Sequence, residues 1–444
     1  MNGKDFLIFP TNEYMNLPKN KNKRVVIIGA GFAGISLAKK LRKLPVQIVV
    51  IDKHNYHTFQ PLLYQVSTGG LEPDSIAYPI RKILKKLRNF YFRLATVKKI
   101  VPEIKEVHTD IGTISYDYLV IATGTRTNYF GNSEIEENAM SMKSVPQALD
   151  IRSLILQNFE LADNCNDLDE RKALLNFSII GAGPTGVELA GAFAELKKHV
   201  FPKDYRHLNI DEMEIHLFEG ADVVLPPMSA TSSAKAKKFL EDFGVHLHLN
   251  TIVKAYNGDI VKMSNGESIR TRNFIWTAGV TGAAIDGLDS ETLIKNLNRY
   301  KVDRYNQILG QQNIFAIGDI AYMETEAYPK GHPQMAQPAI QQGELLAGNI
   351  ERLLQDRPMK PFVYKNKGNM ATIGRNKAVA DLPGIEFGGF FAWLIWMFVH
   401  LMSLVGFRNR IIVFFNWVYN YINYDKAARL IVRPFSPKYK TKDL

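Results

Sequence analysis

Cysteine is nearly absent from this chain. Its 444 residues include one, Cys165, in the polar stretch ADNCNDLDE. A single thiol forms no internal disulfide and no Cys-x-x-Cys pair, so any redox chemistry here needs a carrier other than a protein dithiol. Leader patterns are not seen in the N-terminal stretch either. The N-terminal MNGKDFLIFPTNEYMNLPKNKNKR contains acids and has neither an apolar signal core nor an arginine-rich transit pattern, which predicts a catalytic body that stays in the cytoplasm. His54, His57 and His400 fall at no zinc-motif spacing, and no metal is expected. Disorder-type composition is absent too: 46% hydrophobic and 22% charged residues are globular values, and the length predicts two or three domains.

Long uncharged apolar runs are rare, and the one that stands out lies late in the chain. FFAWLIWMFVHLMSLVGF, residues 390–407, carries no formal charge unless His400 is protonated. The net charge of +11 is concentrated behind it, with eight Lys or Arg against two acids between His400 and Leu444. A basic tail following an apolar run points to an anionic membrane surface more than to nucleic acid, with a plain solvated tail as the other reading.

RVVIIGAGFAGISLAKKLRKLPVQIVVIDK, residues 24–53, is the first stretch that carries chemistry. Arg24–Ile28 reads as a buried β-strand. Gly29, Gly31 and Gly34 follow in G-x-G-x-x-G spacing as a helix opens. The first glycine permits a tight turn, the second admits a pyrophosphate against backbone, and the third lets helix pack on strand. The anion then sits on free N–H groups at the helix start. A second strand, Gln47–Ile51, ends in Asp52, placed to accept from ribose hydroxyls.

The pattern returns in NFSIIGAGPTGVELAGAFAEL, with Gly181, Gly183 and Gly186. The next strand, EIHLF, ends in Glu219, 38 residues after Gly181 and so beyond the usual spacing of about 20. An acid there binds a free 2′-hydroxyl and repels a 2′-phosphate, which favours NADH over NADPH. Strands then end at small-residue turns in YDYLVIATGTRTNYFG and NFIWTAGVTG, and NIFAIGDIA ends in Gly318–Asp319. The expected fold class is α/β with two Rossmann-like dinucleotide-binding domains.

Together these residues resemble the glutathione-reductase-like flavoproteins with two dinucleotide-binding domains. HNYHTFQPLLYQVSTGGLEPDSIAYPIRKIL (54–84) and MAQPAIQQGELLAGNI (335–350) look like segments of the type II NADH dehydrogenases, the non-pumping NADH:quinone oxidoreductases. The resemblance implies FAD contacts at Gly29, Gly31, Gly34, Asp52, His57, Gln60, Thr123, Gly124, Asp319 and Ala336. It implies NADH contacts at Gly181, Gly183, Gly186, Glu188, Glu219 and Gly279. It places an FAD domain at 20–140 and 286–383, an NADH domain at 141–285 and a membrane-anchoring region at 384–444. Related members that use a redox cysteine pair are excluded by the single Cys165.

Pro338 suits the first turn of a helix starting near Gln337. If that helix points at the flavin N1–C2=O edge, as the resemblance implies, its positive end stabilises reduced flavin by about 0.3–2 kcal/mol. Gln337 and Gln341 are four apart and share a face, able to donate to quinone carbonyls or, alternatively, to cap a loop. Glu188 would orient NADH, join a proton route to quinone, or serve the dipole of its own helix. His400 reads as a pocket or interface histidine, or as a core position.

Eighteen helical residues span about 27 Å, against about 30 Å of hydrocarbon. Arg408 and Arg410 stop the run, and Asn416, Asn420 and Asn423 form a polar stripe on the next helix. Trp393, Trp396, Trp417, Tyr419, Tyr421 and Tyr424 suit a membrane interface. The reading is a monotopic helix pair in one leaflet, with a transmembrane hairpin or a dimerisation core as alternatives. The implied protein is a peripheral enzyme on the cytoplasmic face of a bacterial inner membrane. It would pass electrons from NADH through FAD to menaquinone or ubiquinone as a homodimer, without nucleic acid. Alternatives are a soluble ferredoxin or rubredoxin reductase and a flavin-binding interaction protein resembling apoptosis-inducing factor.

Overall fold

The computed structural model describes residues 15–18, 20–86, 88–424, 428–431 and 433–437. Residues 1–14 and 19 of the N-terminal stretch read for a leader lie outside the described residues, as do the basic Lys426, Lys438, Lys440 and Lys442.

The chain divides into two compact units. The first takes the segment up to His57 with Tyr78–Arg126 and Val280–Asn366; the second takes Thr58–Ala77, Thr127–Gly279 and the chain from Lys367 onward. These cuts differ from the expected domain limits. Residues 367–383 join the second unit because strand Asn369–Gly374 lies along helix Pro184–His199, so closely that a Cβ at Gly191 would stand 1.6 Å from the Ile373 carbonyl oxygen. Residues 58–77 go the same way because helix Leu63–Ser67 packs on Val145–Asp163 and Pro184–His199.

The first unit is organised by a five-stranded parallel sheet in the order Ile314–Ala316, Tyr118–Ile121, Arg24–Ile28, Gln47–Asp52, Phe90–Leu94. β-Branched residues fill it because both of its faces are covered. Val25 and Ile27 pack into one core with Leu37 and Leu346, while Val26 and Ile28 pack into another with Ile51 and Ile314. The second unit repeats the plan with Met140–Ser141, Asn273–Trp276, Phe177–Ile180, Ile215–Phe218 and Val245–His248, again all parallel. In each sheet the strand before the glycine loop is central, so the loop sits where strand order reverses.

The apolar run does not form one helix. Phe390–Ser403 is helical, Gly406 turns the chain at φ +93°, and Phe407–Asn423 forms a second helix. Fourteen residues rise about 21 Å, short of the hydrocarbon thickness. Among the described residues no helix is long and apolar enough to cross a membrane. Two expected interfacial aromatics are inside instead: Trp396 is 2% and Trp417 8% exposed. Part of the second helix's polar side also turns inward, although Asn423 of the expected stripe is exposed. Asn409 donates to the carbonyls of Asp74 and Ser75, and Asn420 donates to that of Gly70. The outward side is apolar, carrying Phe391, Phe398, Phe407, Phe415 and Ile422.

Candidate active site

The two glycine loops are built alike. Gly29 N donates to Ile51 O at 2.8 Å, and Gly181 N to Phe218 O at 2.8 Å. Both glycines have positive φ, +103° and +99°, and a Cβ on either would strike the neighbouring strand's exit, at Ala122 O (2.3 Å) or the Ala278 backbone (2.8 Å). Gly34 and Gly186 stand against their own loops, where a Cβ would lie 2.0 Å from Gly29 O and 1.9 Å from Gly181 O. At Gly31 and Gly183 a Cβ would meet nothing within 4 Å. Close packing thus fixes the outer glycines, and the middle one leaves open space at a helix N-terminus, where an anion is favoured.

The acids close the loops in the same way. Asp52 accepts from Ala30 N at 2.6 Å and His54 N at 2.7 Å; Glu219 accepts from Ala182 N at 2.7 Å and Ala221 N at 3.0 Å. Glu219 therefore ends its strand despite the long spacing. Burial pushes the Asp52 carboxyl up from its ordinary value, an effect opposed by those backbone donors. His57 lies buried with Nδ1 2.9 Å from Ala30 O and its ring edge-on to Phe32. Burial lowers its pKa, so it stays neutral beside the loop.

The Gly318–Asp319 turn lies in the same unit. Gly318 N donates to the buried Gln342 Oε1 at 2.7 Å, and a Cβ at Gly318 would stand 3.1 Å from that of Ala33 and 3.3 Å from that of Ala339. Ala33 and Ala339 sit in the first turns of helices Phe32–Leu41 and Ala336–Leu353, so both positive helix ends come to this turn. Pro338 is in that first turn, as expected. Gln341 is tied down: its Nε2 donates to Lys365 O at 3.0 Å and its Oε1 accepts from Lys365 N at 2.9 Å. Thr123 Oγ1 is buried with no partner, and Gly124, at φ +69°, would carry a Cβ into open space. An orphaned hydroxyl, open backbone and converging helix ends fit a dinucleotide with a long polar chain. Gln60, by contrast, lies in the second unit, its amide 3.5 Å from Lys143 O.

Glu188 lines a cleft that lies wholly in the second unit. It is buried on the Pro184–His199 helix among Tyr64, Thr372, Trp393, Trp396 and Met397. Burial pushes its carboxyl up to about 8, with the Thr372 N–H and the Trp396 indole N–H favouring the charged form more weakly. That indole N–H has no acceptor at hydrogen-bonding distance, so its pull on the carboxylate acts from further off. At the other end of the cleft the Arg375 guanidinium lies over the Tyr421 and Tyr424 rings at 3.8 and 4.0 Å. His400 is partly buried against Trp396 and does not line the cleft. Its Nδ1 is 2.8 Å from Trp396 O, its ring stacks on Trp396, and burial lowers its pKa to about 4. The remaining NADH candidate, Gly279, has φ +73° and lies under the Phe130 ring.

The structure builds both expected glycine loops with their acids and sets Glu188 in the cleft. Tyr64, Thr372 and Arg375, which line that cleft, and Gln342, which holds the Gly318 turn, were not singled out in the sequence. The first three join Glu188 only in three dimensions, and Gln342 lies inside the 335–350 segment, where sequence does not set it apart from its neighbour Gln341. Among the described residues no three His, Cys, Asp or Glu side chains converge as metal ligands.

Two parallel sheets with matched dinucleotide loops define a class, the two-domain pyridine-nucleotide oxidoreductases. The family described as pyridine nucleotide-disulphide oxidoreductase matches residues 23–343, and the NDH2 C-terminal domain matches residues 366–423. A type II NADH:quinone oxidoreductase of Mycobacterium tuberculosis is 38% identical over 418 residues, covering 91% of this chain and 89% of that protein. One of Staphylococcus epidermidis is 31% identical, covering 83% and 91%. The structure of NDH2 from Plasmodium falciparum in complex with NADH shares the fold, with TM-score 0.84 at 22% identity over 93% of this chain and 100% of that one. This chain belongs to the pyridine nucleotide-disulphide oxidoreductase family and, within it, to the type II NADH:quinone oxidoreductases.

Proposed function

We propose that the chain catalyses NADH + H⁺ + quinone → NAD⁺ + quinol at a membrane surface, with FAD as its resident carrier. FAD, when bound, takes up two electrons as hydride and releases them to quinone. The first unit would hold it through the open backbone at Gly31 and Gly124, the Thr123 hydroxyl, Asp319 and the neutral His57. Ala336 and Gln337 would lie in the helix turn that faces it, and Gln60 is a further candidate contact. Gly183, beside the close-packed Gly181 and Gly186, would admit the NADH pyrophosphate, and Gly279, under the Phe130 ring, is a further candidate contact. Glu219 disfavours a 2′-phosphate. Glu188 retains a proton at neutral pH within reach of an apolar substrate, as a donor to quinone requires. Gln341 holds Lys365 in place, so contact with a quinone carbonyl would require that pair to open; Gln337 is the partner on the same face.

The observation that carries this reading is the inverted amphipathicity of the C-terminal helices. Asn409, Trp417 and Asn420 spend their polar side-chain atoms on Gln65, Gly70, Asp74 and Ser75, while a row of phenylalanines is left exposed on the same helix pair that lines the Glu188 cleft. Such a surface suits one leaflet of a bilayer. Monotopic attachment to the cytoplasmic face of a bacterial inner membrane, and pairing of two copies through this region, complete the proposal. Purified protein should be yellow, bleach anaerobically with NADH and recolour on adding menaquinone. Truncation after Pro383 should abolish both liposome binding and menaquinone reduction. A soluble reductase would keep its acceptor activity after that truncation, which would overturn the membrane reading.

A further inference from the structure

One proton per turnover must come from water. NADH gives a hydride, which is two electrons and one proton, whereas quinone needs two electrons and two protons to become quinol. The group that faces the apolar cleft, Glu188, is only 8% exposed. It can serve repeatedly only if its proton is replaced through the protein.

We propose that one face of the Pro184–His199 helix, with Tyr64 beside it, is the proton-uptake path from bulk water to the quinone site. This rests on the quinone-reductase reading above. Glu188, Ala192, Glu195 and His199 all line the same cleft, at steps of four, three and four residues. That spacing makes a single stripe along a helix. Over eleven residues it rises about 16 Å. Burial falls along it, from the buried Glu188 to the half-buried Glu195 and His199.

Tyr64 lines the same cleft as the two acids. Its hydroxyl is buried in the cleft, and burial first, then the charge of Glu188 and more weakly that of Glu195, keep the phenol from ionising. It accepts from Gln65 Nε2 at 2.9 Å, which leaves its O–H to donate elsewhere. Gln65 is in turn fixed by the Trp417 indole at 2.8 Å. A phenol that does not ionise can carry a proton only by giving one and taking one together. Glu195 is anchored by Arg375 N at 2.6 Å. His199 stacks on Tyr424 at 4.0 Å, and burial, Lys198, Lys203 and Arg375 lower its pKa against a weaker opposing pull from Glu195. It is neutral near pH 7, able to accept a proton from water and pass it on.

The step balances. The Glu188 carboxyl gives its proton to a quinone oxygen, and Tyr64 reprotonates Glu188 while taking a proton delivered through Glu195. His199 supplies Glu195 from solvent, with cleft water bridging the gaps. Arg375, Tyr421 and Tyr424 face the path without carrying the proton. Tyr64, Glu195 and His199 are thus relay residues, acting on the substrate through Glu188.

The test uses the full-length flavin-loaded protein. The infrared carboxyl band of Glu188, identified by its loss in Glu188→Gln, is followed after transfer to D₂O. Glu195→Gln and Tyr64→Phe should each slow its exchange about tenfold or more. Glu195→Asp should restore most of the rate. In stopped flow, both slow variants should show quinone reduction that falls at lower pH than in wild type, with a larger solvent isotope effect. Flavin content and bleaching by NADH report folding in the same samples. If Glu195→Gln loses flavin, Tyr64→Phe, which removes one oxygen, carries the test. Wild-type exchange and pH profile in Tyr64→Phe would overturn the path while leaving the quinone reading intact. Wild-type protein that quinone cannot reoxidise would instead overturn the underlying reading.

Discussion

Trp417 donates its indole N–H to the Gln65 side-chain oxygen at 2.8 Å, joining residues 352 positions apart. With Asn409 and Asn420 it makes the second C-terminal helix a piece of the protein held by polar side chains, with its greasy side left over. Asn409→Leu should therefore loosen this helix. It strips two hydrogen bonds, one from the buried Ser75 and one from the more exposed Asp74 carbonyl. The expected cost is about 1–3 kcal/mol for leaving such groups unpaired. Amide exchange over 65–76 and 407–423 should quicken, and quinone reduction should drop more than dye reduction. Protection equal to wild type in both segments would count against polar docking.

The outward face makes a separate prediction. Phe398 and Phe415 are 64% and 63% exposed, one on each C-terminal helix. Burying a phenylalanine in lipid is worth about 1.5–3 kcal/mol. Phe398→Glu with Phe415→Glu should cut co-sedimentation with anionic liposomes by about a hundredfold or more on that scale, with flavin content unchanged as a sign of folding. Full co-sedimentation of the double variant would remove this face from the membrane.

Which parts were legible beforehand follows from range. The glycine loops and their acids are local: Gly29, Gly31, Gly34 and Asp52 act within one strand–helix–strand unit, so spacing alone finds them. The Glu188 cleft draws Tyr64, Thr372, Arg375 and Trp396 from segments that no periodicity connects. The apolar run shows the opposite limit. Composition revealed an unusual surface, but hydropathy is blind to the turn at Gly406 and cannot tell a lipid-facing tryptophan from Trp396, which is buried against His400.

The glycines allow a test that separates folding from binding. A methyl at Gly34 would stand 2.0 Å from a backbone oxygen, whereas at Gly31 it would meet nothing within 4 Å. Gly34→Ala should thus unfold or displace the loop, a steric conflict of the most severe kind. Gly31→Val should keep circular dichroism and melting of the flavin-free protein near wild type while losing flavin. In the second unit, Gly183→Val should keep flavin and raise the NADH KM tenfold or more. Normal flavin retention by Gly31→Val would show that the open space beside it is not the cofactor's.

Glu188 should leave a mark on stability as a function of pH. Its carboxyl is raised from 4.5 to about 8 in the folded chain, with burial the largest cause. Between those values the folded state holds a proton that the unfolded chain has released. Folding is then coupled to proton uptake, so stability is fully present below the lower value and declines as pH rises through the upper one. Every tenfold gain in proton affinity on folding is worth about 1.4 kcal/mol, so the decline reaches several kcal/mol once the buried carboxylate ionises. Glu188→Gln removes the titration. Wild-type protein without quinone should lose Tm from about pH 5 to about pH 8 and level off above, and the variant's curve should be flatter, crossing to equal or higher Tm at the alkaline end. Parallel curves with a constant offset would mean that Glu188 does not carry its proton in the folded state at neutral pH, and the donor role assigned to it would fall as well.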